Sequence, residues 1–295
     1  MTTRFRVKHL TRYRYAHGVG LNYAEARLLP RETPTQRAPE RRLELDPTPD
    51  DYQERDDVWG NRVAWFMSRR PHRSLSVTAH SLVEREDAPP PDGSPPWEEV
   101  AARLITPDGE AIAAREFSLE SPMLETHKGA TDYARASFTA GRPLLEAVAD
   151  LTTRIHADFE YRPNATQIDT PLSEVLKKRH GVCQDFAHLA LAGLRGLGLA
   201  ARYVSGYLET IPPEGMPPLE GADATHAWIG AWLPDHGWVD FDPTNGIATG
   251  LGHLTLAWGR DFGDVTPLKG VIHGGGSHSL RSEERRVGKE CRSRW

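Results

Sequence analysis

The chain is short of cysteine, of long apolar runs and of basic stripes, and each shortage closes off a class of protein. Two cysteines in 295 residues cannot build a disulfide scaffold or a four-thiolate zinc site. No apolar stretch approaches the roughly 18 residues of a spanning helix. The opening segment, MTTRFRVKHLTRYRYAHG, carries positive charge without the apolar core of a secretory signal. Lys and Arg total 36 against 41 Asp and Glu, a formal net charge of −5. No block of them forms a stripe, which argues against a nucleic-acid platform. These absences predict a soluble cytoplasmic protein with neither nucleic acid nor membrane as partner; no pattern encodes its oligomeric state. Hydrophobic residues at 38% and charged residues at 26% are near the globular norm, which argues against wholesale disorder. The length suits roughly two domains of about 150 residues each.

Residues 1–86 read as a β-rich unit. Apolar residues recur at every second position in Phe5/Val7, Tyr13/Tyr15, Leu43/Leu45, Val63/Trp65/Met67 and Leu75/Val77/Ala79. Turn signals stand between them at His17-Gly18, Asp46-Pro47 and Trp59-Gly60-Asn61. Two packed layers of sheet, a sandwich-like domain, suit such strands. Residues 87–97, DAPPPDGSPPW, hold five prolines and read as an extended, semi-rigid linker. Residues 98–280 then form a second unit with longer periods. Leu144, Leu145, Val148, Leu151, Ile155 and Phe159 fall at helical spacing behind Pro143. Thr170-Pro171 opens a shorter helix to Lys178.

Residues 181–209 read as loop, helix, turn and strand. Phe186, Leu189, Ala190, Leu194 and Leu197 mark an amphipathic helix that Gly198 ends. Cys183 stands at its start, where unpaired amides and the helix dipole favour a thiolate and can hold an oxyanion. A buried structural cysteine is the alternative. Asp185 reads as a helix-start acid, and His188 as ordinary helix surface or core.

Two strands follow: His226–Leu233 and Gly237–Asp242, the second ended by Pro243. His226 and Asp242 share a face only if paired residue numbers sum to an even value. A three-residue loop with Gly237 left-handed meets that condition; a plain four-residue loop does not. The alternatives are a His capping a strand and an Asp-Pro turn. Trp228, Trp232 and Trp238 either line a substrate groove or fill the core.

The segments GVCQDFAHLALAGLRGLGLAARYVSGY, THAWIGAW and GWVDFDPTNG together resemble the transglutaminase-like core of bacterial proteins. That family places a nucleophilic Cys at a helix start, a His in an HAW strand and an Asp at a DPT strand end. The resemblance assigns these roles to Cys183, His226 and Asp242. RFRVKHLTRYRY and DDVWGNRV are similar to the β-rich domain that precedes this core in a bacterial subgroup. The implied fold is α+β: an N-terminal β-sandwich-like domain, then a papain/transglutaminase-like core with the nucleophile helix packed on an antiparallel sheet. The resemblance covers most of Met1–Ser279. It fails over Arg281–Trp295, a string that resembles the translation of a sequencing adapter and stands where the family's final strand is expected. On that reading Cys291 carries no functional role.

The resemblance implies cysteine-dependent acyl transfer at an amide carbonyl through a thioester. Hydrolysis by a cysteine peptidase or amidase needs the same triad. A non-catalytic binding module on the same fold is the competitor from another class. Substrates would be a protein, a peptide or a small amide. Tyr161, by analogy with an aromatic donor upstream of the thiol in related enzymes, and Gln184 are candidates to complete an oxyanion hole. Neither a metal site nor a cofactor is expected: no close-spaced ligand pair occurs, and no acidic loop of the EF-hand type accompanies the core, although animal relatives use calcium. His273–His278, HGGGSH, reads as a flexible loop and not as a lipase motif, because no G-x-S-x-G exists.

Overall fold

Period-2 burial organises the first part of the chain. In β1 (Thr2–Ala26), Phe5, Val7, His9 and Thr11 all turn inward. β2 (Gln36–Asp46), β3 (Asp51–Asp56), β4 (Arg62–Ser68) and β5 (His72–Glu86) complete an antiparallel sheet in the order β2-β5-β1-β4-β3. The computed structural model describes residues 2–209, 220 and 225–289. Contrary to the turn expected at His17-Gly18, β1 runs through it, with register shifts against β5 between Arg14 and Val19. β5 pairs along the first half of β1 and β4 along its last residues. One sheet therefore curls over on itself and provides both layers. In β4 the buried positions are Val63, Ala64, Phe66 and Ser68, so Trp65 and Met67 lie on the other parity. Trp65 instead stacks against Tyr23 and under the Arg55 guanidinium.

The proline-rich segment is a strap fixed to its neighbours. Leu144 N–H donates to Pro95 O, Leu145 N–H to Ser94 Oγ, and Trp97 N–H to Arg142 O. Beyond it come α1 (Trp97–Ile105), α2 (Ala111–Arg115), α3 (Lys128–Arg135) and α4 (Leu144–Asp158). Pro143 caps α4, and Leu144, Leu145, Val148, Leu151 and Ile155 are its buried stripe. The short β6 (Glu160–Tyr161) precedes α5 (Leu172–Lys178), and the equally short β7 (His180–Gly181) precedes α6 (Cys183–Gly196). α6 is more than amphipathic: every residue from Asp185 to Leu194 is buried. Its small face lets α3 approach, since a Cβ on Gly193 would meet that of Ala134 at 2.7 Å. After α6, Gly198 takes φ +81° and Leu199 N–H returns to Leu194 O, the left-handed helix stop that the sequence predicts.

The second sheet is antiparallel, ordered β11-β10-β9-β8-β12. Its members are β8 (Ala201–Leu208), β9 (His226–Leu233), β10 (Gly237–Asp242), β11 (Ile247–Ala248) and β12 (His253–Gly259). α6 packs on β8 and β9. After α7 (Phe262–Val265) the chain returns to the first sheet, where β13 (Leu268–Gly274) and β14 (His278–Lys289) both pair with β1. The last strands of the second unit thus belong to the first sheet. Backbone from Arg281 to Lys289 continues as strand along β1, so the adapter-like residues occupy the place where the family's final strand is expected; Glu290–Trp295, Cys291 among them, lie outside the described residues.

The two units share one core. Phe5, Val7 and Val83 of the first sheet join the apolar cluster built on α4, α6 and the second sheet. β12 is an edge strand, and side-chain amides from the first unit complete its hydrogen bonding. Gln36, wholly buried, donates from Nε2 to Thr255 O and accepts Thr255 N–H on Oε1. Asn61 does the same for Trp258, accepting its N–H and donating to its carbonyl.

Candidate active site

The path to the site begins with the hairpin between β9 and β10. Gly237 pairs with Leu233 and Trp238 with Trp232, so only Pro234, Asp235 and His236 are left as loop. Gly237 takes φ +87°, a region that a side chain rarely tolerates. This is the register that puts His226 and Asp242 on one face. His226 Nε2 lies 2.8 Å from Asp242 Oδ2, with both side chains fully buried. Because the carboxylate can only accept, Nε2 carries the proton. His226 Nδ1 is then the basic nitrogen; it is buried and makes no hydrogen bond.

Cys183 approaches this ring from the start of α6. The half-buried thiol is near enough to act on His226 as a hydrogen-bonding and charged neighbour, although the pair does not reach full hydrogen-bond geometry. Such contacts often tighten only with substrate bound. Burial disfavours a charged imidazole, but the Asp242 charge and hydrogen bond outweigh it, and His226 is more basic than an ordinary histidine; Cys183 adds in the same direction. For Asp242 burial again works against the charge, and His226 and His253 overcome it, holding the carboxyl below its usual range.

Asp242 is gripped from every side. Oδ1 accepts Thr244 N–H at 2.9 Å and Asn245 N–H at 3.2 Å. Oδ2 accepts from Asn245 Nδ2 at 2.7 Å and from His253 Nε2 at 3.2 Å besides His226. His253 Nδ1 takes the Gly250 N–H at 3.2 Å, so its proton sits on Nε2 and points at the carboxylate. Sequence reasoning misses His253 and Asn245. Asn245 follows Asp242 closely enough to be suspected of completing the Asp-Pro turn; His253 lies on β12, separated from β10 by β9 and β8, and nothing local marks it. From α4, His156 Nδ1 donates to Thr244 O at 2.8 Å and fixes the turn from below.

The helix start is held with equal care. Asp185 folds back so that Oδ2 accepts Val182 N–H at 2.8 Å and the Thr166 hydroxyl at 2.6 Å. It is the expected helix-start acid. The first amides to bond back are those of Asp185 and Phe186, both to Val182 O, so the amides of Cys183 and Gln184 lie ahead of the ladder, where an oxyanion can use them. β6 lies parallel to β7 and places Tyr161 opposite Gly181, two residues before the thiol. The Gln184 carboxamide donates one of its two N–H groups to Ile168 O at 3.0 Å, and its backbone amide lies among those ahead of the ladder. His188 is core rather than helix surface. Its Nε2 accepts Phe262 N–H at 3.3 Å, and burial pulls its pKa down to about 4.

The three tryptophans divide. Trp228 is wholly buried, donates to Asp240 Oδ2 at 3.2 Å, and stands edge-on to His253 at 5.4 Å. A Cβ on Gly206 would come within 2.2 Å of its ring, so that glycine makes room for it. Trp232 is buried in the core. Neither lines a groove, because each fills space inside the sheet packing. Trp238 reaches a cavity, but one that does not touch Cys183, His226 or Asp242. Beside the helix start lies a different cavity of about 290 Å³, bordered by Asp185, His188, Ile168 and Leu172.

A helix-borne thiol, an imidazole on a neighbouring strand and a buried carboxylate behind it, on a helix-and-sheet core, define the class of fold to which the comparisons then give a name. Residues 5–84 match the bacterial transglutaminase-like N-terminal region and residues 131–243 the transglutaminase-like superfamily domain. The chain belongs to this family. The uncharacterized protein Rv2569c of Mycobacterium tuberculosis is 42% identical over 290 residues, covering 95% of this chain and 90% of that one. A protein-glutamine gamma-glutamyltransferase of Pseudomonas aeruginosa is 35% identical over 105 residues, 34% of this chain and 16% of its own. A crystal structure described as a candidate cysteine protease, from Cytophaga hutchinsonii, superimposes with a TM-score of 0.77 at 21% identity, covering 98% of this chain and 91% of that one.

Proposed function

We propose that the protein is a cysteine-dependent enzyme that forms a thioester at an amide carbonyl and passes the acyl group to an amine. The observation that carries this reading is the buried His226–Asp242 pair, 2.8 Å apart, whose remaining ring nitrogen is unpaired and adjacent to the only thiol among the described residues.

The steps follow from the groups. Raised basicity of His226 favours transfer of the thiol proton to Nδ1, giving a thiolate beside an imidazolium. The thiolate attacks the carbonyl carbon, and the oxyanion takes hydrogen bonds from the Cys183 and Gln184 amides. Collapse breaks the C–N bond. The imidazolium returns its proton to the departing amine, leaving a thioester on Cys183. An incoming amine, deprotonated by His226, then attacks the thioester and releases the thiolate. Asp242 stays ionised throughout; it orients the ring and stabilises its charged form. The substrates in this reading are protein, peptide or small amides. Similarity to a protein-glutamine gamma-glutamyltransferase favours transfer, whereas the fold shared with a candidate cysteine protease favours water as acceptor; both readings use the same three residues.

The test is alkylation with iodoacetamide in a Cys291→Ser background, followed by intact mass across pH. Labelling faster than that of a free thiol at pH 7 is expected, absent in Cys183→Ala and with an altered pH profile in His226→Ala. Ordinary, slow labelling of folded protein would sink the enzyme reading in favour of a binding module. Amide substrates with and without added amine then separate transfer from hydrolysis. Cys183→Ala is expected to abolish turnover and leave the circular dichroism unchanged.

A further inference from the structure

Between the two units lies a cavity of about 450 Å³ that the mechanism does not use. The strap closes one side with Pro89–Pro91, and β10 and β12 supply Trp238 and Trp258. Its charged lining is unbalanced: two guanidinium groups, Arg85 and Arg202, against the single carboxylate of Asp240.

Neither arginine is satisfied. Arg202 is 6% exposed; its one hydrogen bond reaches Asp240 Oδ1 at a long 3.3 Å, and its Nε is buried without a partner. Arg85 donates from Nη1 to the neutral Thr35 hydroxyl at 2.7 Å, its Nε is also unpartnered, and it makes no ion pair among the described residues. A third buried guanidinium, Arg31, stacks on Trp258 at 3.1 Å from the ring centroid, while Arg202 lies over the same ring at 3.8 Å. Burial, with Arg202 adding to it, lowers the Arg31 pKa to about 9. Among the described residues Asp240 is the one carboxylate paired directly with this group, at Arg202, while Asp56, Asp57 and Asp87 act on Arg31 and Arg85 only as more distant charges; buried charge compensated this incompletely is costly. A cationic cluster of this kind around an open volume is stabilised when an anion enters it.

The geometry points to a binding site for a small organic anion, a carboxylate or phosphate carried on a flat apolar body, separate from the cysteine site. The guanidinium groups present planar donors matched to either anion. Trp238 and the prolines offer the apolar body a surface. The volume is that of a small-molecule site.

The experiment uses the full chain carrying Cys183→Ala, so that its outcome is independent of the proposed catalysis. Benzoate and phenyl phosphate are titrated by calorimetry, with neutral benzamide as control. Saturable binding of either anion with Kd below about 1 mM is expected, with no binding of benzamide; the better ligand of the two tells carboxylate from phosphate. Arg85→Gln, at the rim, is expected to weaken binding at least tenfold. Asp240→Asn keeps an acceptor for the Trp228 N–H, removes the competing carboxylate, and is expected to tighten binding severalfold. Failure of both anions to bind folded protein, or unchanged binding in Arg85→Gln, would overturn the proposal.

Discussion

Asp242 accepts hydrogen bonds from His226, His253, Asn245 and two backbone amides, and its consequences at the scale of single residues can be measured. Asp242→Asn keeps the shape but sets an amide against donors, which removes the ring's charged partner. By analogy with the Ser-His-Asp triad, a loss of roughly 10³–10⁴ in turnover is expected in kinetic assays. His253 reaches the triad only through the carboxylate, its other contacts being the Gly250 N–H and the Trp228 ring, and is a positioning residue. His253→Phe is expected to lower kcat about tenfold with little change in KM, and His253→Gln, which can still donate, to restore much of it. Loss of KM alone would assign His253 to substrate binding instead.

At the scale of elements, α6 and the β9–β10 hairpin decide the site. The helix is central, so its polar residues titrate against burial. His188 stays neutral in the folded protein down to a pKa of about 4, while in the unfolded chain it protonates near ~6.5. Protons therefore bind the unfolded state preferentially between these values, and stability falls as pH falls through that window. The loss attributable to His188 is expected to reach about 3 kcal/mol at pH 4. Urea unfolding between pH 7 and 4 checks it, and His188→Phe should flatten the slope. For the hairpin, one residue inserted after Asp235 would change the pairing parity and turn Asp242 away from His226. Turnover should vanish in a protein that still folds; retained turnover would remove Asp242 from the mechanism.

On the scale of the whole molecule, the first sheet completes the second. Gln36 bonds both backbone groups of Thr255 and the Arg31 carbonyl, so Gln36→Ala takes a hydrogen bond from three buried backbone groups. A destabilisation of about 2–4 kcal/mol is expected in urea unfolding, and a value near zero would mean that the units do not depend on one another. Removing Arg281–Trp295 leaves Cys183, His226 and Asp242 in place but strips most of β14 from β1. Turnover per folded molecule is expected to be unchanged, while the newly exposed edge of β1 promotes association, visible by light scattering. A large loss of turnover would tie the second sheet's site to the first sheet's edge.

The sequence alone determined what depends on near neighbours along the chain. Cys183 reads as a helix start because Gly198 and the apolar spacing of α6 are local signals; pairing parity is local arithmetic too, but the loop length that puts His226 and Asp242 on one face stayed open until the β9–β10 pairing fixed it. Burial was less legible: Trp228 and Trp238 sit in similar sequence surroundings, yet one is sealed over Gly206 and the other opens on a cavity. Only the tertiary structure decided contacts between distant segments. His253 reaches Asp242 from β12, Gln36 reaches Thr255 across the units, and Arg85 and Arg202 line one space from separate stretches of chain. Spacing in sequence carries no record of such meetings, because the burial of apolar surface that brings the units together is non-directional and the partners are chosen only when the two sheets pack.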